Sequence, residues 1–461
     1  MRHEPSSVLA AALGLVLAAG PEAIAQGVSL SRAGSGARAA GMGDAFVAVS
    51  DDGTAASWNP AGLAQLRQPE LSFVYGISER GLRLSGLRSP DNRMAYAIRD
   101  PMRFTGSSVD FASAALPFSF ASRPATIQFS WRRLYQLSNV FGGDIDRYLV
   151  AEPTVPVGST FLEDRLTGAI DVLTVAAAVK LTSRAAVGAG VDFWRGDWRS
   201  RTSLFDDPGP TAATTFVDGQ STARLRGQNV NVGLLLTYPA WNVGLVYHAP
   251  FWSSYRAFSH LHATAAPPLT FALPAGRFRL PRSIAAGLAW RPAPRWTAAA
   301  ALTHDQWTDA VVDHIPGAPG PVNFFDEMPR ALSSTRDTVS LNVGAEHLFV
   351  HDGAIVPLRL GLGWEPQGGM DPVTRDPVDY LLVSWGSGYN NNRFKLDAAV
   401  QYRRATARTR LNIGLAETTE AFPAGDAVGG GVSHEWRIKV SAIYRVQDTE
   451  KLQRILRKIF G

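Results

Sequence analysis

From residue 69 onward, apolar and polar residues alternate with a period of two, the pattern of β-strands with two unlike faces. The stretch 432–446 shows it most clearly. His434, Trp436, Ile438, Val440, Ala442, Tyr444 and Val446 share one face; Glu435, Arg437, Lys439, Ser441 and Arg445 share the other, interrupted by Ile443. Residues 393–403 repeat the arrangement, with Phe394, Leu396, Ala398, Val400 and Tyr402 opposed to Lys395, Asp397, Gln401 and Arg403. In a soluble sandwich such strands put the apolar face on a core and the polar face in water. In a membrane barrel the apolar face meets lipid and the polar face meets the lumen.

The connections separate the two readings. Strands are expected near 69–79, 105–116, 124–135, 168–181, 185–199, 222–237, 241–257, 277–291, 295–308, 337–349, 355–366, 378–389, 393–404 and 432–446, fourteen in all. Short links (117–123, 182–184, 238–240, 292–294, 350–354, 390–392) alternate strictly with long ones (80–104, 136–167, 200–221, 258–276, 309–336, 367–377, 405–431). Periplasmic turns and extracellular loops of an outer-membrane barrel segregate in this way. The 80–104 stretch has room for an extra hairpin. Aromatic residues near strand ends (Trp131, Tyr135, Trp194, Trp198, Trp290, Trp296, Trp307, Trp364, Trp385, Tyr389) are expected to form interfacial girdles. The fold class is therefore an all-β, antiparallel transmembrane barrel of about 14 strands.

Composition agrees. Charged residues make up 18%, below the ~25% usual for soluble domains, and no run after the first residues is long enough for a transmembrane helix. Cysteine is absent, which excludes disulfides, thiolate metal sites and a cysteine nucleophile. The net charge is +5, without the basic stripe and interleaved aromatics that nucleic acid would require. Residues 1–25 read as a cleavable signal peptide: Arg2, a short apolar stretch over 8–19, and Ala23-Ile24-Ala25 as the cleavage site. At the other end, Leu452, Ile455, Leu456 and Ile459 recur at helical spacing over 447–461. This amphipathic tail would lie on the inner leaflet or dock on a periplasmic protein.

No chemistry-bearing constellation emerges. His304, Asp305, Asp309, Asp313 and His314 cluster in sequence, but their spacing matches no metal-ligand motif. There is no Gly-x-Ser-x-Gly elbow. Neither a cofactor nor a metal is expected, and an enzyme is the least favoured of the three functional classes.

Residues 26–68 do not alternate. They are rich in Gly and Ala and precede the first strand, so they are a candidate plug for the lumen. Within them, GSGARAAGMGDAFVAVSDDGTAASWNPAGLAQL (34–66) resembles the hatch of FadL/TodX-type outer-membrane transport proteins, with Asn59-Pro60-Ala61 matching that family's NPA signature. Residues 280–309 and 377–403 are similar to later parts of the same barrels. The resemblance implies a fourteen-strand barrel with a hatch (69–446 and 26–68) and uptake of long-chain fatty acids or aromatic hydrocarbons. Ligand would be captured by extracellular loops, held in a lumen pocket and released sideways by movement of the hatch. It places gate residues at Gly41, Met42, Gly43, Phe46, Asn59, Pro60, Ala61 and Gly62. Outside the motifs, Phe324 and Phe325 are candidate loop contacts for an apolar ligand, and Arg403, Arg437 and Lys439 are candidate cations for an acid headgroup. The expected partners are a hydrophobic small molecule, outer-membrane lipid and lipopolysaccharide. The same hatch motif is similar to that of PorV-like barrel components of protein secretion, which is the alternative function.

Overall fold

A computed structural model of the chain describes residues 34–447, apart from 90, 100–101, 138, 208, 210–212, 265–266, 273–274, 314–319, 326–327, 371–376 and 413–425. The signal peptide, the start of the plug segment, His314 and the tail from 448 lie outside the described residues.

Fourteen antiparallel strands form the wall: β1 (Glu70–Arg88), β2 (Met102–Phe120), β3 (Arg123–Gln136), β4 (Glu152–Lys180), β5 (Ala185–Asp207), β6 (Thr215–Thr237), β7 (Trp241–His248), β8 (Ser283–Ala293), β9 (Trp296–Asp305), β10 (Thr338–His351), β11 (Ala354–Met370), β12 (Pro377–Asn390), β13 (Phe394–Asn412) and β14 (Asp426–Arg445). Phe251–Ala263 continues β7 upward and Gly276–Leu280 leads down into β8. The wall closes where β1 pairs with β14, from Glu70 opposite Arg445 to Ser85 opposite Gly430. Closure leaves no strand edge unpaired, which a barrel in lipid requires.

The period-two pattern sorts the faces as the sequence suggests. Leu71, Phe73, Tyr75, Leu396, Trp436, Ile438 and Val440 point outward and are exposed, whereas Lys395, Asp397, Gln401, Arg403 and Glu435 point inward and are buried. The short turns sit at one end. Asp352 and Gly353 both take positive φ (47° and 78°) between β10 and β11, the type I′ geometry that matches strand twist. Asn391 accepts hydrogen bonds at its side-chain oxygen from the backbone N–H of Arg393 and Phe394, closing the β12–β13 turn.

Two expectations change. The stretches read as long loops are largely strand. β4 runs 29 residues and β5 and β6 run 23 each, well beyond the apolar band. Above the membrane both faces are wet, so alternation fades while the hydrogen-bond ladder continues. The extra strand in 80–104 exists as Met94–Ile98, which pairs with the top of β1 and with Asn139–Leu149. The second change concerns the aromatic residues. Trp290, Trp296, Trp364, Trp385 and Tyr389 do face outward, but Tyr135, Trp194, Trp198 and Trp307 are buried inside. Trp194 follows the outward Phe193 by one residue, so the pleat turns it into the lumen.

Candidate functional site

The chain enters the lumen as a compact segment over 34–66. It consists of a short helix, α1 (Ala37–Gly41), and two 3₁₀ turns, Ala55–Ser57 and Pro60–Gln65. Such irregular backbone is tolerated at membrane depth only when other protein groups satisfy it. Asn59 caps the second turn by accepting from the N–H of Ala61 at 3.0 Å, with Pro60 in the first position. The same side chain donates to Val47 O and to Leu234 O of β6, each at 3.1 Å. Trp58 donates its indole N–H to Ser35 O at 2.7 Å and packs edge-on against Phe46. Asp52 accepts from the N–H and hydroxyl of Thr54.

Wall side chains satisfy much of the remaining backbone. Asn342 donates to Gly43 O (2.7 Å), Ser384 to Gly41 O (3.2 Å), Gln401 to Ala40 O (3.2 Å), Asn242 to Ala48 O (3.1 Å), and Gln128 to Gly53 O (2.6 Å). These donors come from β10, β12, β13, β7 and β3, so the segment is held from nearly every side.

Its seat is made of glycine. Three pairs of wall glycines stand opposite each other on neighbouring strands: Gly188 and Gly233, Gly244 and Gly287, Gly344 and Gly361. A Cβ built on the first pair would fall on Asn59, Pro60 or Ala61; on the second, on Val47 or Ala48; on the third, on Met42 or Gly43. The backbone of the inner segment therefore lies directly on the wall at three places, including both halves of the motif. Gly43 is itself constrained, with φ 63° and Leu362 N, Gly361 Cα and Val343 O within 3.0 Å of where a Cβ would stand.

Buried ions lock the segment to β10, β11 and β13. Arg38 makes a forked contact to Glu346 (3.0 and 2.8 Å) and also pairs with Asp51. Glu346 and Asp397 share Arg359 at 2.6 and 2.8 Å, and Lys395 reaches Asp52 at 2.6 Å. Burial alone would push the Asp52 carboxyl up. Lys395 and Arg38 outweigh it and hold that carboxyl below the usual carboxylate range. Asp44 behaves oppositely: burial pushes its carboxyl up, Gln401 donates to one oxygen at 3.1 Å, and the other oxygen has no hydrogen-bond partner among the described residues.

Above the segment lies a packed aromatic cluster. Trp194 tilts against Phe251 (centroids 5.1 Å apart) and Trp198 against Tyr255 (5.9 Å). The long connection after β9 folds inward over them as a roof. Asn323 pins it by donating to Trp307 O and accepting from the N–H of Phe325 and the hydroxyl of Thr335. This places Phe324 on Phe278 (4.8 Å) and Phe325 on Trp307 (5.5 Å). Between floor and roof is a cavity of about 80 Å³, bounded by Asp44 and Trp58 below, Asp305 and Asn342 at the side, and Trp307, Phe325 and Glu365 above.

Gly41, Met42, Gly43, Phe46, Asn59, Pro60, Ala61 and Gly62 thus come together in the buried inner segment, and Phe324 and Phe325 in the roof. Of the three candidate cations, both arginines are engaged by carboxylates. Arg403 is fully buried, paired with Glu365 and with Glu435 at 2.8 Å, and stacked under Tyr380. Arg437 makes a forked contact to the same Glu435. Lys439 stands on β14 opposite Gly76 and Ala399. Asp309 and Asp313, read with the histidines in sequence, pair with Arg330 and Arg277 instead. The wall glycines and the inward tryptophans were missed; glycine recurring in the inward phase of a strand, where it weakens the sheet, is the available signal.

A closed antiparallel barrel with an outward apolar band and a segment filling its lumen is the architecture of an outer-membrane-type barrel. Its particular fold is that of the FadL and TodX proteins. A FadL homologue of Pseudomonas aeruginosa superposes with a TM-score of 0.59 at 14% identity, over 88% of this chain and 97% of that one. The toluene transporter TodX of P. putida gives 0.57 at 13% identity, over 90% and 99%. The toluene transporter TbuX of Ralstonia pickettii gives 0.52 at 13%, over 91% and 100%. No family model and no curated protein sequence matches the chain.

Proposed function

We propose that this protein resides in the outer membrane and carries uncharged hydrophobic small molecules, aromatic hydrocarbons above all, through its lumen. The observation that carries the reading is a buried aromatic cluster under the roof, with a lumen cavity between that roof and the glycine-seated inner segment. Apolar solute entering among the loops would bury its surface against Trp194, Trp198, Phe251 and Phe324, gaining roughly 25 cal/mol per Å² removed from water. The cavity of about 80 Å³ is roughly half an engineered apolar cavity that takes up benzene, ~150 Å³. Admitting a ring therefore requires Trp307 or Phe325 to move.

Charge favours a hydrocarbon over a fatty acid. A buried carboxylate needs a cation to offset its lost hydration. No lysine or arginine lines the cavity among the described residues, while Asp44, Asp305 and Glu365 do. Arg403 already holds two carboxylates.

Release is assigned to movement of the inner segment and a sideways exit. The pairing of β3 with β4 slips at Leu134, between Asp171 and Ile170, and Gly168, level with Leu137, takes φ 143°. Leu134 and Tyr135 at that slip pack on the aromatic cluster, which supports an exit there. The test is native mass spectrometry of the protein extracted from outer membranes and exposed to toluene or oleate. Retention of toluene, reduced by Trp194→Ala, is expected. Retention of oleate alone would reverse the substrate assignment.

A further inference from the structure

On the outer surface of β4, β5, β6 and the upward continuation of β7, arginines stand directly opposite arginines. Arg165 faces Arg201, Arg195 faces Arg226, and Arg224 faces Arg256 across adjacent strands. All six are exposed and on the outward phase of the pleat. Directly opposed like charges destabilise a sheet; the Arg195–Arg226 and Arg224–Arg256 pairs are neighbours and concentrate that cost in one patch, with the Arg165–Arg201 pair six residues further up β5. The carboxylates nearby do not balance it. Asp197 is shared between Arg195 and Arg224, Asp218 takes Arg201, Glu163 takes Arg165, and Asp171, opposite Arg195 on β4, takes Arg133. Arg226 and Arg256 make no ion pair among the described residues.

The height of the patch is specific. Outward on the same strands, the last apolar residues before the arginines are Leu173, Phe193 and Val230, all exposed. Phe193 stands eight residues above Ala185, where β5 begins at its short turn. At ~3.3 Å per residue and a tilt of ~40°, this spans roughly 20 Å, close to the ~25 Å apolar band of such barrels. Arg195 is the next outward residue. The guanidinium groups therefore begin where acyl chains end and headgroups start, on the side of the long loops.

We infer that this patch binds the phosphorylated disaccharide headgroup of the outer-leaflet glycolipid, lipid A. Its phosphates would sit between the Arg195–Arg226 and Arg224–Arg256 pairs, and its acyl chains on Leu173, Phe193 and Val230. Guanidinium suits this ligand because its planar fork donates to two phosphate oxygens at once. An anion between two opposed arginines turns mutual repulsion into a shared contact.

The full-length protein is extracted from outer membranes in mild detergent, and lipid A per barrel is measured by mass spectrometry. Wild type is expected to retain it. The fourfold variant Arg195→Gln, Arg226→Gln, Arg224→Gln, Arg256→Gln is expected to retain at least about tenfold less, since each charged contact is strong. Toluene retention measured on the same samples is expected to be unchanged, which separates this assignment from the transport reading. If the variant does not assemble, wild-type barrels in nanodiscs with and without lipid A replace it: a higher unfolding temperature with lipid A supports the site. Equal protection by inorganic phosphate would show that phosphate alone is recognised and would overturn the lipid assignment. So would undiminished lipid A on the variant, or none on the wild type.

Discussion

Asn59 of the inner segment donates its side-chain amide to the backbone carbonyl of Leu234 in β6, 175 positions away in sequence, at 3.1 Å. Its other amide hydrogen goes to Val47 and its oxygen caps the turn at Ala61. One side chain thus folds the segment and fastens it to the wall. Replacing Asn59 with Ala leaves Leu234 O, Val47 O and the Ala61 N–H without this partner, at a cost of about 1–3 kcal/mol for each group left buried and unsatisfied. The barrel ladder is untouched. The expected outcome is faster proteolysis within 34–66, altered hydrocarbon uptake and unchanged heat-modifiable mobility of the barrel on a gel. Unaltered uptake would remove Asn59 from the gate.

The glycine seat gives a sharper steric test. Even Gly344→Ala places a methyl on the carbonyl of Met42. Overpacking of a close backbone contact costs ~1–3 kcal/mol. Gly344→Val and Gly361→Val are expected to lift the Met42–Gly43 end of the segment, measured as loss of amide-exchange protection there. A control at Gly320, which has nothing within contact distance of a Cβ and no positive φ, should leave residues 41–43 protected.

The buried ions predict non-additivity. Glu346→Gln leaves Arg38 and Arg359 each short of a carboxylate. Removing one partner of a buried pair costs about 3–5 kcal/mol, while replacing the whole set with apolar groups is often neutral. Arg38→Met combined with Glu346→Leu is therefore expected to dock the segment better than Glu346→Leu alone, as read by a double-mutant cycle on amide exchange.

Two aspartates of the segment give opposite pH responses. Burial raises the Asp44 carboxyl, so what neutral Asp44 contributes to docking is present below the ordinary value, about 3.9. That contribution is lost as pH rises through the elevated value. For Asp52, Lys395 and Arg38 overcome burial and depress the carboxyl. Its contribution is present above the ordinary value and lost as pH falls through the depressed one. At neutral pH, Asp44→Asn is expected to slow amide exchange of 34–66 and Asp52→Asn to speed it. The same direction for both would show that charge is not what distinguishes them.

Much of this was legible in sequence. Strict alternation around Phe394 and Trp436 and the alternating link lengths were enough for a fourteen-strand barrel, because a period of two reports which face meets lipid. The motif Asn59-Pro60-Ala61 pointed to the inner segment only through its resemblance to the FadL/TodX hatch; its capping role became visible in the structure. Three things were not legible. Trp194 and Trp198 looked like girdle residues because position along a strand says nothing of face until the register is known. Arg403 looked like a free headgroup cation because its partners Glu365 and Glu435 lie on strands distant in sequence. The glycine pairs exist only as pairs once β5 and β6, β7 and β8, and β10 and β11 are in register.

The account rests on selection for uncharged aromatic solute by a cavity lined by carboxylates and, among the described residues, by no lysine or arginine. Uptake of labelled toluene and labelled oleate by cells expressing this barrel, against cells lacking it, tests that directly. The account predicts accelerated toluene entry, abolished by Trp307→Ala together with Phe324→Ala, and no acceleration of oleate. Accelerated oleate entry with toluene unchanged would contradict it.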